Sequence, residues 1–296
     1  MTLGWFVTGT DTGIGKTTVS CLLLQSLFHR AGLKSLGMKP VATGAVLLRD
    51  LGARDRAASE ALAARWPQWA LACGAHSVHE DVLHLLSGSG ALQASVPGGL
   101  TLADINPYGF MPAIAPHLAA RALGVTLEFT HMAQALARLQ ALAEVVVVEG
   151  AGGFRVPLGA PGAGEMADLC GFLHLPLVLV VGIRLGCINH ALLTLESIQA
   201  RGLLLSGWIG NLLEPRPTAW AGTLDTLRER LSVPCLGVVP PLTGVQLDAL
   251  YAGAAQEVKL PTEAPGCAHW ALPGHSAPKT LLDVLDIKTL LASARR

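Results

Sequence analysis

The chain has 296 residues, of which 51% are apolar and 14% are charged, and this balance indicates a compact globular protein rather than a disordered one. Lysine plus arginine equals aspartate plus glutamate at 21 each, so no basic surplus points to a nucleic acid or an anionic membrane as partner. The six cysteines form no C-x-x-C pair and the start lacks a basic and then apolar leader, so we expect free thiols and a cytoplasmic location.

Short apolar strands alternate with helices along most of the chain. Residues 3–8 predict a buried strand, residues 17–31 a helix that ends at Gly32, and residues 34–44 a second strand that leads into a loop. Further strands are predicted in AEVVVVEGAGG, LPLVLVVGI, LLLSGWIGN and VPCLGVVPP, and a further helix in RLGCINHALLTLESIQARG. The longest apolar runs have strand length, so no membrane span is expected.

The composition of these strands predicts the fold class. Nearly continuous Val, Leu and Ile are typical of a sheet that is covered on both faces. Alternation with helices favours parallel strands joined by right-handed connections. We therefore predict an α/β fold with a mostly parallel sheet covered by helices on both faces, in which ligands bind beyond the carboxyl ends of the strands.

Two segments fit this alternation less well. Residues 45–80 are rich in Ala, Arg and Leu, contain Trp66 and Trp69, and predict a helical insertion. Residues 252–280 hold many Pro, Gly and Ala and predict a loop or a loosely ordered stretch. Because no repeat and no clear linker is visible, we predict that residues 1–296 form one domain.

The segment GTDTGIGKTT after the first strand resembles a phosphate-binding loop with one irregularity. The common pattern has a glycine, four residues and then Gly-Lys-Ser/Thr. Here Gly15 begins an intact Gly-Lys-Thr, but Thr10 occupies the first glycine position and Gly9 comes one residue too early. Gly13 and Gly15 still flank the tight part, so the displaced glycine indicates a subclass of P-loop rather than a damaged one.

This loop predicts a nucleotide site within a P-loop domain. Backbone N–H groups of residues 13–17, with the positive end of the following helix, would form an anion cradle. Lys16 would reach the β- and γ-phosphates, and the Thr17 hydroxyl would ligate Mg²⁺. The alternative is an ordinary helix start with glycines after a strand, which occurs in many α/β proteins.

Two other strand ends carry residues that suit the same site. Lys39 in MKPVATG would direct an ammonium group into the site or lie in solvent, and Thr43 would bond to a substrate or cap a turn. Glu149 follows four valines, so burying it without a partner would be costly. A Mg²⁺ ion would compensate that charge, and backbone amides are the alternative.

The N–H groups of Leu185–Asn189, at a strand-to-helix junction, would hold a carboxylate or only cap the helix.

Taken together, the motifs closely resemble the dethiobiotin synthetase family over roughly residues 3–242, with insertions. In order they are TGTDTGIGKTT, MKPVATG, INPYGF with APH, VVVVEGAGG, VVGIRLGCINHALLT and GWIGN, and the family shares the displaced glycine. The resemblance implies an ATP- and Mg²⁺-dependent ligase of biotin biosynthesis that converts 7,8-diaminopelargonate, CO₂ and ATP into dethiobiotin, ADP and phosphate. A carbamate of one amine attacks the γ-phosphate, and the second amine then closes the ring on the carbamic–phosphoric anhydride.

The resemblance also implies catalytic and metal-binding roles for residues at matching positions. Lys16 would stabilise the transferring phosphoryl group, and Lys39 would stabilise the carbamate and its phosphorylated form. Thr17 and Glu149 match metal ligands. The third ligand matches Asp81, although Asp50 and Asp55 compete because Asp81 follows the insertion.

Binding residues are implied in the same way. Those of the nucleotide are Gly13, Ile14, Gly15, Lys16, Thr17, Thr18, Asp81, Glu149, Gly150, Ala151, Gly152, Asn211, Leu212, Pro240, Pro241 and Leu242, with Asn211 reading adenine and residues 240–242 lining the base. Those of the substrate are Thr12, Thr43, Gly152, Gly153, Leu185, Gly186, Cys187 and Asn189. In the family, the segment that matches residues 185–189 comes from the other subunit and holds the substrate carboxylate. A homodimer is therefore implied, with the diamine and CO₂ or bicarbonate as small-molecule partners.

Three departures from the family and two rival interpretations remain at this point. Residues 45–80 and 252–280 are longer than the family leads us to expect. Arg184 stands where some members have lysine, which keeps the charge but changes the shape. The first rival is another ATPase of this loop class, such as a partitioning ATPase or a cobyrinate amidase. Asp11 occupies the position of the early lysine of partitioning ATPases and argues against them. The second rival is a nucleotide-dependent regulatory or scaffold protein, whose slow hydrolysis would depend on a protein partner and not on a diamine.

Overall fold

A six-stranded parallel sheet forms the centre of the computed structural model, which describes residues 2–65, 77–94, 97–160, 162–214, 219–260, 271–272 and 276–294. In chain order the strands are β1 (Leu3–Gly9), β2 (Ser35–Met38), β3 (Val41–Thr43), β4 (Val46–Leu47), β5 (Ser77–Val78), β6 (Tyr108–Phe110), β7 (Val145–Glu149), β8 (Leu177–Ile183), β9 (Leu205–Leu212) and β10 (Cys235–Val239). The central sheet has the order β10-β9-β8-β1-β7-β2, and each neighbouring pair in it is parallel. The predicted α/β fold class is confirmed.

Helices cover the sheet on both faces. They are α1 (Lys16–Ala31), α2 (Ala53–Arg65), α3 (Glu80–Gly88), α4 (Gly90–Ala94), α5 (Leu102–Ile105), α6 (Pro116–Ala122), α7 (Phe129–Leu142), α8 (Met166–Phe172), α9 (Cys187–Ala200), α10 (Trp220–Arg230), α11 (Gly244–Tyr251) and α12 (Ile287–Ser293). None of the helices in the described ranges is long and apolar enough to cross a membrane.

The valines of β7 show why a run without polar alternation forms a strand in this protein. Val146 and Val148 belong to the apolar cluster on one face of the sheet, and Val145 and Val147 belong to the cluster on the other face. All four are 0% exposed. Burial of each valine side chain contributes roughly 1.5–3 kcal/mol, and only a strand covered on both faces obtains this at every position.

The first helix lies between two glycines and begins at Lys16, one residue before its predicted start. Gly15 precedes it with a φ of 83°, and Gly32 follows it with a φ of 70°. The backbone N–H of Gly32 donates to the carbonyl of Phe28, which closes the last turn. The predicted helix stop at Gly32 is confirmed.

The segment predicted as one strand at residues 34–44 divides between two sheets. β2 ends at Met38, and β3 pairs with β6 in a separate two-stranded sheet. Pro40 has no N–H to continue the ladder, and the N–H of Lys39 donates instead to the carbonyl of Ile105 at 2.7 Å. The chain therefore leaves the central sheet at Lys39, at the carboxyl edge of that sheet.

Both segments that interrupt the strand–helix alternation are described in part. Residues 45–80 include α2 and the short antiparallel pair of β4 with β5, whereas Trp66 and Trp69 lie outside the described residues. Within residues 252–280, Ala255, Val258 and Leu260 are buried in the cluster on the α1 face, and residues 261–270 and 273–275 lie outside the described ranges. The single domain of residues 1–296 stays a prediction.

The cysteines in the described ranges are free thiols. They are Cys21, Cys170, Cys187 and Cys235, whereas Cys73 and Cys267 lie outside those ranges.

A glycine in β10 tests how tightly the C-terminal segment packs on the sheet. A Cβ at Gly237 would lie 2.5 Å from the backbone oxygen of Val284 and 2.7 Å from Cδ2 of Leu285. We expect Gly237→Ala to lower the free energy of unfolding by about 1–3 kcal/mol, measured by chemical denaturation. The control is Gly222→Ala on α10, where an added Cβ meets nothing within 4 Å. It should raise the free energy of unfolding by about 0.5–1 kcal/mol, and equal effects of the two changes would contradict the packing described.

Candidate functional site

A cavity of about 460 Å³ opens at the carboxyl ends of the central strands, next to the start of α1. Twelve of the residues that the sequence predicts for the site line it, namely Thr12, Gly13, Gly15, Lys16, Thr17, Thr18, Lys39, Thr43, Asp81, Glu149, Ala151 and Gly152. A larger cavity of about 770 Å³ elsewhere in the molecule is lined by none of the predicted residues. The candidate site is therefore the smaller cavity.

The loop before α1 has a backbone shape that glycine makes possible. Gly13 and Gly15 have φ angles of 69° and 83°, in the left-handed region that other residues rarely adopt. A Cβ at Gly15 would also lie 2.1 Å from Nδ2 of Asn211, which donates to the carbonyl of Ile14 at 2.9 Å. The Nζ of Lys16 donates to the carbonyl of Asp11 at 2.8 Å, so this side chain curls back over the loop. The loop can therefore surround an anion at the start of α1.

Beside the loop lies a buried cluster of charged side chains. Nζ of Lys39 is 2.5 Å from Oε1 of Glu149 and 2.8 Å from Oδ2 of Asp81. The Thr17 hydroxyl lies 2.6 Å from Oδ1 of Asp81 and 3.0 Å from Oε1 of Glu149, and its single hydrogen can serve one of them at a time. Glu149 is 0% exposed. Residues from β7, the end of β2, α1 and α3 thus meet at one point.

Charge compensation within this cluster determines the direction of each pKa shift. Burial alone would lower the pKa of Lys39, but the carboxylates of Asp81 and Glu149 outweigh it and raise the pKa above the ordinary lysine value. Burial raises the pKa of Glu149, against the opposing effect of the Lys39 ammonium. For Asp81 burial acts in the same sense, but the Lys39 ammonium outweighs it and holds the pKa well below the usual range. Lys39 therefore remains an ammonium at neutral pH.

The position of Asp81 follows from the start of α3. His79 precedes the helix, and its Nδ1 accepts a hydrogen bond from the backbone N–H of Asp81 at 3.0 Å. Asp81 consequently lies in the first turn and points to Thr17 and Lys39. Of the two alternatives considered from the sequence, Asp55 pairs with Nε2 of His84 at 3.0 Å, and the side chain of Asp50 is 61% exposed. The structure brings Asp81 and not these two to the cluster.

The cluster has the donor atoms that Mg²⁺ prefers. Oε2 of Glu149 is buried and has no hydrogen-bond partner among the described residues, so one hard oxygen remains available. Asp81 and Thr17 supply further oxygens beside it. In the described ranges no group of three or more His, Cys, Asp or Glu could hold a metal ion alone. A Mg²⁺ ion would therefore depend on two carboxylates, a hydroxyl and the oxygens of a bound phosphate, which is the usual composition of such sites.

The other predicted residues lie outside this cavity. Asn211 is 6% exposed and is the last but one residue of β9, which ends at the buried Leu212, and residues 240–242 follow β10. Ile14 is buried, and the N–H of Gly150 donates to the carbonyl of Val7 at 3.0 Å.

The five predicted substrate residues that do not line the cavity lie in the loop after β7 and at the start of α9. Gly153 lies in that loop, where an added Cβ would be 3.6 Å from the backbone oxygens of Gly9 and Thr10. The remaining four lie where α9 begins, and of these Leu185, Gly186 and Asn189 are at the surface and Cys187 is buried. The adjacent Arg184 pairs with Asp11 and so joins this junction to the loop before α1.

Sequence reasoning missed five polar or aromatic residues that line the cavity, namely Arg54, His79, Glu80, His84 and Tyr251. The rings of His84 and Tyr251 stack with centroids 3.8 Å apart and an angle of 3° between their planes. The spacing of His84 three residues after Asp81 places both on one face of a helix, which is the one sequence signal that could have found it. No comparable signal connects Arg54 or Tyr251 with the loop.

Comparisons with known proteins agree with the motifs. Residues 91–248 match a family model described as an AAA domain. An ATP-dependent dethiobiotin synthetase of Aromatoleum aromaticum is 44% identical over 81% of this chain and 91% of its own length. That of Xanthomonas campestris pv. campestris (strain 8004) is 43% identical over 87% of this chain and 97% of its own length.

A solved structure supports the fold alone. The septum site-determining protein MinD of Pyrococcus horikoshii OT3, complexed with Mg-ADP, has a TM-score of 0.51 at 16% identity and covers 100% of this chain and 99% of its own.

The charge of Lys16 gives a testable pH dependence. Burial and the nearby Lys39 lower the pKa of Lys16 to about 8, so at about pH 8.5 much of it is neutral in the free protein. A bound phosphate favours the ammonium form, so ADP binding at about pH 8.5 should take up a proton, whereas near pH 6.5 little uptake is expected. Calorimetry in two buffers of different ionisation enthalpy measures this uptake. Lys16→Arg is the control, because arginine stays charged. ADP binding by the wild type without proton uptake at the higher pH would contradict the assignment.

Proposed function

The chain belongs to the ATP-dependent dethiobiotin synthetase family, and from this premise we propose how its residues carry out the reaction. It is an ATP-dependent ligase of biotin biosynthesis that closes the ureido ring of dethiobiotin. The observation that carries the proposed mechanism is the buried Lys39 beside an intact Gly-Lys-Thr loop, at the carboxyl ends of the central strands.

Lys39 acts on the substrate side of the site. Carbamate formation and phosphorylation place negative charge on oxygens that water would otherwise solvate. Two carboxylates fix the Lys39 ammonium and keep it protonated, so it is oriented before the substrate binds. It stabilises the carbamate and then the carbamic–phosphoric anhydride, while Thr43 and the glycine backbone at residues 152–153 contact the diamine.

Lys16 and the loop act on the nucleotide. The N–H groups of residues 13–18 hold the α- and β-phosphates, and the Lys16 ammonium stabilises the phosphoryl group that is transferred. Asn211 and residues 240–242 lie at the ends of β9 and β10 and contact the adenine. Asn211 also bonds to the carbonyl of Ile14, so the same side chain fixes the loop and faces the base.

Thr17, Asp81 and Glu149 would hold Mg²⁺ in the active enzyme. The unsatisfied Oε2 of Glu149 supports this assignment. When bound, the ion neutralises charge on the β- and γ-phosphates. The Lys39 ammonium also compensates the charge of Asp81 and Glu149.

A homodimer completes the substrate site. Leu185 is 104% exposed at the start of α9, and neither it nor residues 186, 187 and 189 line the cavity of their own chain. Leu185, Gly186 and Asn189 are exposed at this helix start, and their N–H groups suit the diamine carboxylate in a second copy of the chain, whereas the N–H of the buried Cys187 donates to the carbonyl of Arg184. We place this dimer in the cytoplasm, as expected from the cysteine pattern.

The first test combines the complete reaction with Lys39→Ala. Purified protein with ATP, Mg²⁺, bicarbonate and 7,8-diaminopelargonate should release phosphate and form the cyclic urea only when the diamine is present. Lys39→Ala should lower kcat by about 10²–10³-fold and leave ADP affinity within a few-fold of the wild type. Lys34→Ala, at the exposed residue before β2, is the control. Equal losses of ADP binding and turnover would place Lys39 in nucleotide binding, and phosphate release independent of the diamine would favour the regulatory rival.

The second test uses mixed dimers. Leu185→Glu places a negative charge beside the proposed carboxylate site without disturbing a buried position, and should raise the KM for the diamine with ADP binding unchanged. Mixing it in equal amounts with Lys39→Ala should restore about a quarter of wild-type activity, because half of the dimers then contain one intact shared site. Native mass spectrometry, which resolves the two variants by mass, measures how much mixed dimer forms. Mixed dimers without recovered activity would refute a shared site.

A further inference from the structure

The hydroxyl of Thr18 is bonded outside its own helix. Threonines inside helices commonly donate to the carbonyl four residues earlier, as Thr194 and Thr226 do at 2.7 and 2.8 Å. For Thr18 that carbonyl belongs to Ile14, and it accepts from Asn211 instead. The Thr18 side chain, third in α1, instead lines the cavity next to the loop.

The partner of this hydroxyl is Tyr251, the last residue of α11. The two hydroxyl oxygens lie 2.9 Å apart, and either can donate. Both side chains are nearly buried, at 8% and 9% exposure, and both line the cavity. The bond joins two residues that are 233 positions apart in sequence, because α1 follows the loop near the start of the chain and α11 follows the last strand of the central sheet.

The ring of Tyr251 is held from two sides. His84 of α3 stacks face to face on it, and His84 is itself bonded to Asp55 of α2 at 3.0 Å. Arg54 of α2 lies over the ring, 6.0 Å from its centroid, and forms an ion pair with Asp248 of α11. The phenol oxygen therefore has a fixed position before any ligand binds.

The hydroxyl pair has a preferred direction when an anion is present. Burial raises the pKa of Tyr251, so the phenol keeps its proton and can donate. If Tyr251 donates to Thr18, the proton of Thr18 is available to an acceptor in the cavity. A phosphate oxygen beside the start of α1 is such an acceptor, and charge-assisted bonds of this kind are stronger than neutral ones.

We propose that Tyr251 is a positioning residue for the nucleotide, which donates to Thr18 and directs the Thr18 hydroxyl to an α- or β-phosphate oxygen. This inference rests on the proposed nucleotide site. Arg54 of α2 and Tyr251 of α11 line the same cavity as the loop, and we call these two helices the second wall of the nucleotide site. Because ADP and ATP share these two phosphates, the effect extends to both nucleotides and not to the diamine.

Calorimetric titration with ADP and Mg²⁺ tests the proposal. Tyr251→Phe and Thr18→Val should each weaken ADP binding about tenfold, because each removes one charge-assisted bond or the group that orients it. The double variant should bind no more than about twofold weaker than either single variant, since the two hydroxyls act in series. Thr18→Ser should restore the binding that Thr18→Val loses. Tyr108→Phe is a matched control, because the chain has two tyrosines and the Tyr108 hydroxyl accepts from the N–H of Glu128 instead.

Turnover separates positioning from a structural effect. Tyr251→Phe should raise the KM for ATP about tenfold, with kcat and the KM for the diamine within about twofold of the wild type. Tyr251→Phe binding ADP within about twofold of the wild type would overturn the inference, and so would fully additive losses in the double variant. If the wild type binds ADP and Lys16→Ala does not, the nucleotide site stands whatever the result for Tyr251. No ADP binding by the wild type would instead refute the proposed function.

Discussion

The ion pairs that enclose Lys39 between Asp81 and Glu149 constrain the arrangement of the whole site. Glu149 lies at the end of a strand that is buried on both faces, where a carboxylate without a partner would cost several kcal/mol. The Lys39 ammonium compensates it from the adjacent strand end, because the chain leaves the central sheet at Lys39. Asp81 and Thr17 then surround the same ammonium and carboxylate, which fixes α3 against α1.

The sheet and its order along the chain were largely predictable, because they depend on side-chain type. Four consecutive valines favour a strand whichever strands lie beside them, and Gly32 ends a helix whatever packs around it. The loop was predictable for a similar reason, since Gly13 and Gly15 have φ angles that few other residues adopt. Lys39 could not be assigned in this way. Its sequence context fits a solvated strand end equally well, and only the packing of β2 against β7 places it beside Glu149.

The second wall of the cavity was not predictable from local signals. Arg54, His84 and Tyr251 come from three helices, and each contact depends on how α2 and α11 pack across α1 and α3. The sequence could not decide among Asp81, Asp50 and Asp55 for the same reason. All three are acidic residues near an insertion, and only the start of α3 at His79 distinguishes Asp81. Residue type thus predicted the chemistry of the site, whereas tertiary packing selected which copies of each residue type take part.

The central position of β1 has a consequence for how the protein is synthesised. Leu3 pairs with Val145, and Phe6 pairs with Leu177, so the strand before the loop finds its two neighbours only about 140 and 170 residues later in the chain. Contacts of this sequence separation form late and slowly. On the ribosome, the loop emerges early, but the cavity beside it is incomplete until Glu149 of β7 and Tyr251 of α11 have followed. A nucleotide can therefore stabilise the finished fold by binding to it, but it cannot guide the folding of the first half of the nascent chain.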